Sequence, residues 1–323
     1  MRRAVVAWLV VFAIAITTSA GAVIALNSTA FGAAGFVRIY LEAIARGDAA
    51  GALAMAGVTA DPRAGTVFLT DAALAGISDL RELSVEADDD GREVVTFAWA
   101  AGDVEATSRF TVERTGSRLG LFPKWAFAVS PVASLELTVA HDARFDLNGV
   151  AAESGAAGLA VTYAVLVPGV YRVDHDSRYL RAENVDVVAD AAGSRLRATL
   201  DVQPKPAMLG EVTAHVRDRL SECATHDVLF PTGCPFGRAI SNRVVSAPAW
   251  SILDHPPFTL EPGETFGTWL VPSTEGVAHL VVDVQSLFDG SISTFDEDVR
   301  FTVSYLVTIR PGDAGLGIVE RFD

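Results

Sequence analysis

From Val299 to Arg310 the chain alternates without a break. Val299, Phe301, Val303, Tyr305, Val307 and Ile309 fall on one side, and Arg300, Thr302, Ser304, Leu306, Thr308 and Arg310 on the other. Successive strand side chains point to opposite faces, so a period of two fixes this segment as a strand with one covered face. A second stretch repeats the pattern: Val104, Ala106, Ser108, Phe110 and Val112 alternate with Glu105, Thr107, Arg109, Thr111 and Glu113. It follows Val95, Phe97 and Trp99 across a Gly102-Asp103 turn, and a later strand carries Trp125, Phe127 and Val129. A sheet with one apolar face needs a covering layer, and helical spacing occurs upstream. Phe36, Val37, Tyr40, Leu41 and Ile44 share one helix face ended by Gly47. Asp48 caps a second helix through Met55, and Thr70 and Asp71 cap a third over Ala72 to Ile77. Helices followed by an antiparallel meander predict an α+β layer pair over residues 33–128.

Residues 129–190 show no helical pattern and read as a small all-β module. Leu135, Leu137 and Val139 alternate, Asn148-Gly149 marks a turn, and Ala160 to Leu166 and Val170 to Val173 read as strands. Residues 191–311 repeat the helix-plus-sheet logic. Leu209, Val212, Val216, Leu220 and Cys223 lie on one helix face, ahead of a strand over Val277 to Val284 and the long alternation. The tail, 312–323, reads as loosely held.

The runs AAGFVRIYLEAIARGDAAGALAMAG, VVTFAWAAGDVEATSRFTVERTG and KWAFA, within residues 33–128, resemble the cone-shaped nuclear transport factor 2-like domains found outside the membrane in actinobacterial envelope proteins. ECATHDVLFPTGCPFG and APAWSI resemble a second domain of that kind. LNG followed by LVPGVYRV is similar to a β module of the teicoplanin-resistance-associated membrane protein family, whose single span carries a string of extracellular domains. The resemblance implies a fold class of two α+β cones flanking a β module. It implies no particular function, because that fold hosts enzymes, binders and dimerisation modules alike.

Residues 4–26 hold no charge, which is long enough to cross a bilayer core as a helix, and residues 27–32 read as a linker. A signal anchor is therefore expected, with Arg2 and Arg3 placing the N-terminus in the cytoplasm and the bulk of the chain outside. The alternative is a secreted protein cleaved near Ser19-Ala20-Gly21-Ala22. The chain has 25 basic and 40 acidic residues, a net charge of -15. With no basic stripe to neutralise phosphates, nucleic acid is excluded as a partner class.

Cys223 and Cys234 are the only cysteines. On the oxidising side of a membrane they are expected to pair, the loop between them turning back at Pro231, Gly233 and Pro235. His226 between them does not complete a zinc pattern. Asp174-His175-Asp176 reads as a solvated strand end, His279 as exposed, and Asp254-His255 as a loop pair with no nucleophile to activate. The run Asp88-Asp89-Asp90-Gly91 lacks the alternating ligands of a calcium loop and reads as a hairpin tip. No phosphate-binding loop, nucleophile elbow or metalloprotease motif occurs. No catalytic residue, metal site or cofactor is assigned. Trp99, Trp125, Trp250 and Trp269 carry two readings, core filling between sheet and helices or the lining of an open pocket. The expected function is that of a non-catalytic, single-pass extracytoplasmic envelope protein that binds an envelope component, a cell-wall partner or a partner protein. The alternatives are an anchored or secreted enzyme using a cone cavity, and an assembly or stalk subunit of a membrane complex. A buried acid or histidine beside Trp99 or Trp125 would favour the enzyme.

Overall fold

Short helices and long strands set the architecture. In the computed structural model, which describes Thr18 and residues 31–118, 121–155 and 158–321, eighteen strands accompany three α-helices. The chain is mostly β, in several sheets of which one curves into a half-barrel. It separates into two compact units: one of residues up to 140 with 144–174 and 183–200, the other of 141–143, 175–182 and everything from 201 on.

In the first unit, helix α1 (Ala33–Ala45) buries Val37, Tyr40, Leu41 and Ile44 on one face, the stripe read from the sequence. It ends where Gly47 takes a φ of 70°, and Asp48 then caps α2 (Ala49–Leu53) by accepting a 2.7 Å hydrogen bond from the Gly51 amide. The third expected helix shrinks to a single 3-10 turn, Asp71–Ala73. Asp71 does not cap its own turn; its carboxylate accepts from the Ala49 amide at 2.8 Å and so helps close the start of α2.

The meander follows as β1 (Ser78–Ala87), β2 (Glu93–Ala101), β3 (Val104–Arg118) and β4 (Phe122–Phe127), each antiparallel to its neighbour. The Asp88–Gly91 run is the β1–β2 turn, where the Asp88 carboxylate accepts from the Asp90 and Arg92 amides and pairs with the Arg92 guanidinium. The rest of the unit is β as well. Strand β5 (Val132–Ala140) pairs with β8 (Ala160–Leu166). A four-stranded sheet runs in the order β11 (Val185–Ala189), β9 (Gly169–Asp174), β6 (Arg144–Leu147), β7 (Val150–Glu153). Asn148 and Gly149 join β6 to β7 with φ of 50° and 80°, a turn that these two residue types tolerate. Tyr40 ties α1 to the loops bounding β5 and β8, its hydroxyl donating to the carbonyls of Pro131 (3.1 Å) and Val167 (2.7 Å). Burial raises its pKa well above the usual phenol value.

In the second unit, β10 (Leu180–Ala182) pairs with the end of β12 (Arg195–Pro204). Helix α3 (Pro206–Ala224) packs against β14 (Ala249–Asp254), burying Met208, Val212, Val216, Leu220 and Cys223. Met208 takes the first place on that face, with Leu209 only half-buried. The sheet beneath is built on two 18-residue strands, β16 (Thr268–Gln285) and β17 (Ile292–Ile309), joined by a hairpin. Short strands β13 (Arg243–Val244), β14 and β15 (Glu261–Pro262) pair along β16. Residues 316–320, read as part of a loose tail, add an edge strand, β18, to β17.

Two expectations are corrected here. The architecture is not a pair of α+β cones. The helices of residues 33–76 span 13 and 5 residues, too little to form a helical layer, and a single helix serves the second unit. The likeness to nuclear transport factor 2-like cones therefore does not carry the fold. The transmembrane helix and signal anchor are likewise withdrawn. Residues 4–26 lie, apart from Thr18, outside the described residues, and no described helix is long and apolar enough to cross a membrane. The longest, α3, carries Glu211, Arg217, Asp218, Arg219 and Glu222 among its 19 residues, as a surface helix does.

Candidate functional site: an apolar cleft beside Trp125

The four tryptophans divide between the two readings. Trp99, 2% exposed near the end of β2, donates its indole N–H to the Ser108 hydroxyl across the β2–β3 ladder at 2.9 Å. Trp269 is fully buried at the start of β16, 5.9 Å from the His141 ring, and its Nε1 finds no hydrogen-bond partner among the described residues. Trp250 on β14 donates to the Val228 carbonyl at 2.8 Å and packs on Phe236, which in turn meets Phe301. These three fill cores.

Trp125 differs. It sits at the end of the meander, on β4, where α1 begins above the sheet. Its Nε1 donates to the Phe31 carbonyl at 2.9 Å, which holds the entry of α1 over the strand. Phe31 then stacks on Phe122 with ring centroids 4.4 Å apart, and Phe36 packs on Phe127 at 5.0 Å. Between these groups a solvent-open cleft of about 370 Å³ remains, lined chiefly by Phe31, Phe36, Ile39, Phe122, Lys124 and Trp125. Ile39, off the buried stripe of α1, is 56% exposed there.

The backbone at this end of the sheet is fixed on both sides. A register shift between Arg114 and Gly116 bulges β3 opposite Lys124 and Trp125 and puts Thr115 at the cleft. On the other side the chain leaving α2 presses on β4: the Phe127 amide donates to Ala56 at 2.9 Å, and a Cβ on Gly57, whose φ is 84°, would lie 2.2 Å from the Phe127 carbonyl oxygen. Only glycine fits there.

Charge at the cleft is one-sided. Among the described residues, no acidic side chain and no histidine lines it. Lys124 is exposed and has no ion-pair partner among the described residues, while the Arg114 guanidinium lies 5.0 Å from the Trp125 ring centroid with Glu93 3.7 Å away. The described lining thus offers apolar contact, aromatic faces, the Thr115 hydroxyl and the positive charge of Lys124.

Several other chemistry-bearing residues have partners of their own, while His255 Nδ1 is buried with no hydrogen-bond partner among the described residues. Cys223 and Cys234 form a disulfide with Cα atoms 5.8 Å apart, and Arg219 donates to the Gly233 carbonyl within the loop. His175 is buried, not solvated as its sequence context implied, with Nε2 3.2 Å from the Ser177 hydroxyl. Asp176 beside it pairs with Lys205, which holds its carboxyl below the usual range. His279 lies between two carboxylates, Asp298 at 2.8 Å and Asp296 at 3.4 Å, brought opposite it by the β16–β17 register. His141 Nδ1 lies 3.1 Å from Asp201 Oδ1, close enough for an ion pair but without the direction of a hydrogen bond. No group of three or more metal-ligating side chains occurs among the described residues. A polar hollow of about 220 Å³ near Asp61, Arg63, Glu136 and Arg195 is rimmed by both signs of charge. A shallower one of about 450 Å³ contains Arg172 already paired with Asp186 at 2.8 Å.

Sequence reasoning placed Trp125 among the pocket candidates but missed its partners. Phe31 fell in the linker and Phe36 among core positions. Ile39 carried a readable signal, a large apolar residue on the polar side of α1 between Arg38 and Glu42. Comparison of the chain with protein-family models, with curated proteins and with solved structures finds no match.

Proposed function

We propose that the protein is a non-catalytic binding protein of the cell envelope, acting outside the cytoplasm and holding an envelope component or partner protein in the Trp125 cleft. The single observation that carries this reading is the cleft's lining: apolar and aromatic side chains around an open cleft at the edge of the meander, with no acid or histidine among the described residues that line it. A site of this composition gains free energy by removing apolar surface from water, and its Lys124 and Thr115 have no carboxylate or imidazole in the described lining to activate them. The disulfide supports the extracytoplasmic location, since such bonds persist where thiols are not kept reduced.

The test is in-cell photocrosslinking from a photoreactive phenylalanine analogue at position 39, inside the cleft, against the same probe at Leu83, an exposed apolar position on β1. A discrete product from position 39 that Phe122→Asp abolishes is expected. Equal labelling from both positions, or a product insensitive to Phe122→Asp in a folded variant, contradicts the reading.

A further inference from the structure

The cleft's charge identifies the chemical class of its ligand more narrowly than its shape does. Resting on the binding reading above, we infer that the Trp125 cleft takes an amphiphile with an unbranched apolar chain and a single anionic head, a fatty carboxylate being the simplest member. Three observations converge. The lining is chiefly Phe31, Phe36, Ile39, Phe122 and Trp125 around a volume of about 370 Å³, at the small end of ligand sites and enough for one short apolar chain. The charged side chain in that lining is Lys124, which has no ion-pair partner among the described residues although the chain carries 40 acidic residues and a net charge of -15. The next cation, Arg114, lies 5.0 Å from the Trp125 ring centroid and is only loosely matched by Glu93 at 3.7 Å.

An acidic protein that leaves a lysine unmatched at the mouth of an apolar cleft presents a local site for a negative charge. A neutral chain would satisfy the aromatic floor but leave the ammonium unused; a dianionic or bulky head would exceed what one lysine and one shared arginine compensate. An anionic head at Lys124 forms a charge-assisted contact at the solvent edge while its chain lies on the rings. The open mouth keeps the head hydrated, so the contact adds selectivity more than raw affinity and weakens with salt.

The experiment is a calorimetric titration of the full chain with decanoate and, separately, with 1-decanol, at low and at 0.5 M salt. It is repeated on Lys124→Gln and Ile39→Asp after circular dichroism shows both folded. Decanoate is expected to bind more tightly than decanol, and Lys124→Gln to weaken decanoate by about tenfold while leaving decanol unchanged. Salt is expected to weaken decanoate alone, and Ile39→Asp to abolish both. If decanol binds as well as decanoate and Lys124→Gln alters neither, the anionic-head inference is overturned while the apolar cleft stands. If the folded wild-type chain binds neither, the inference is overturned outright, and the crosslinking from position 39 decides separately whether the cleft holds a macromolecular partner.

Discussion

Trp99 and Trp125 belong to the same four-stranded meander, and their surroundings differ in one respect. At Trp99 the ring is closed off from solvent: it is 2% exposed, Phe97 and Phe110 in the same sheet are fully buried, and the indole N–H is satisfied by Ser108 within the sheet. At Trp125, the N–H is satisfied by the carbonyl of Phe31, outside the sheet, and the space beside the ring is left open. A meander supplies the same alternating face along its whole length. Whether that face becomes core or site is decided by where the covering helix begins. Trp250, in the other unit, shows the same need met a third way: a loop carrying Val228 and Phe236, pinned by the Cys223–Cys234 disulfide, covers the ring.

The largest expected effect separates the two tryptophans directly. Trp99→Ala empties a filled core and orphans the Ser108 hydroxyl, and is expected to cost about 3–5 kcal/mol. Trp125→Ala opens its space toward an existing cleft that water already enters, and is expected to cost about 1–3 kcal/mol, because less cavity is left sealed. Chemical denaturation of the two variants measures the gap; equal losses would mean that the Trp125 end is core after all.

Next in size is the loop over Trp250. Cys234→Ser frees the segment that the disulfide holds and is expected to lose about 2–3 kcal/mol by the loop-entropy argument. Its tryptophan emission should shift to the red as the cover over Trp250 loosens. A variant as stable as the wild type, with unshifted emission, would show that packing of Phe236 on Trp250 and Phe301 covers the ring without help.

The smallest effect concerns an edge that is closed by charge burial. On β18, burial pushes the Glu320 carboxyl above its ordinary range, with Arg219 opposing the shift, and burial pushes Tyr305, opposite it in the β17–β18 register, up to about 12. A native carboxyl with a raised pKa holds its proton more tightly than the unfolded chain does. Stability therefore falls as pH climbs from the ordinary carboxylate range through the raised value. Glu320→Gln is expected to raise the melting temperature slightly at pH 7 and to leave it unchanged at pH 4. A loss at pH 7 would show that attraction to Arg219 outweighs the burial.

These contrasts mark how far the residues alone disclose the molecule. The strands were legible because their period is local: the alternations over 104–112 and 299–309 lie in β3 and β17, and Asn148-Gly149 makes its hairpin turn. The apolar stripes of α1 and α3 were legible for the same reason. The layer count was not. Asp71 reads as the cap of its own helix, but its carboxylate accepts from the Ala49 amide, 22 residues away, and only a single 3-10 turn forms over Asp71–Ala73. His175 looks solvated between two aspartates, yet the chain buries it. The cleft was half legible. Trp125 and Ile39 carry a signal in their own neighbourhoods, whereas the opening between them depends on the meeting of β4 with the entry to α1, which no local pattern records.

The most direct measurement follows the indole N–H signals of uniformly nitrogen-15-labelled protein during a decanoate titration, with Trp99 and Trp125 assigned from single Trp→Phe variants. Binding in the cleft should move the Trp125 signal in a saturable way, through its hydrogen bond to Phe31, and leave the Trp99 signal in place. A Trp125 signal that stays fixed while decanoate saturates the protein, or a Trp99 signal that moves equally, would contradict the assignment of this end of the sheet as the binding site.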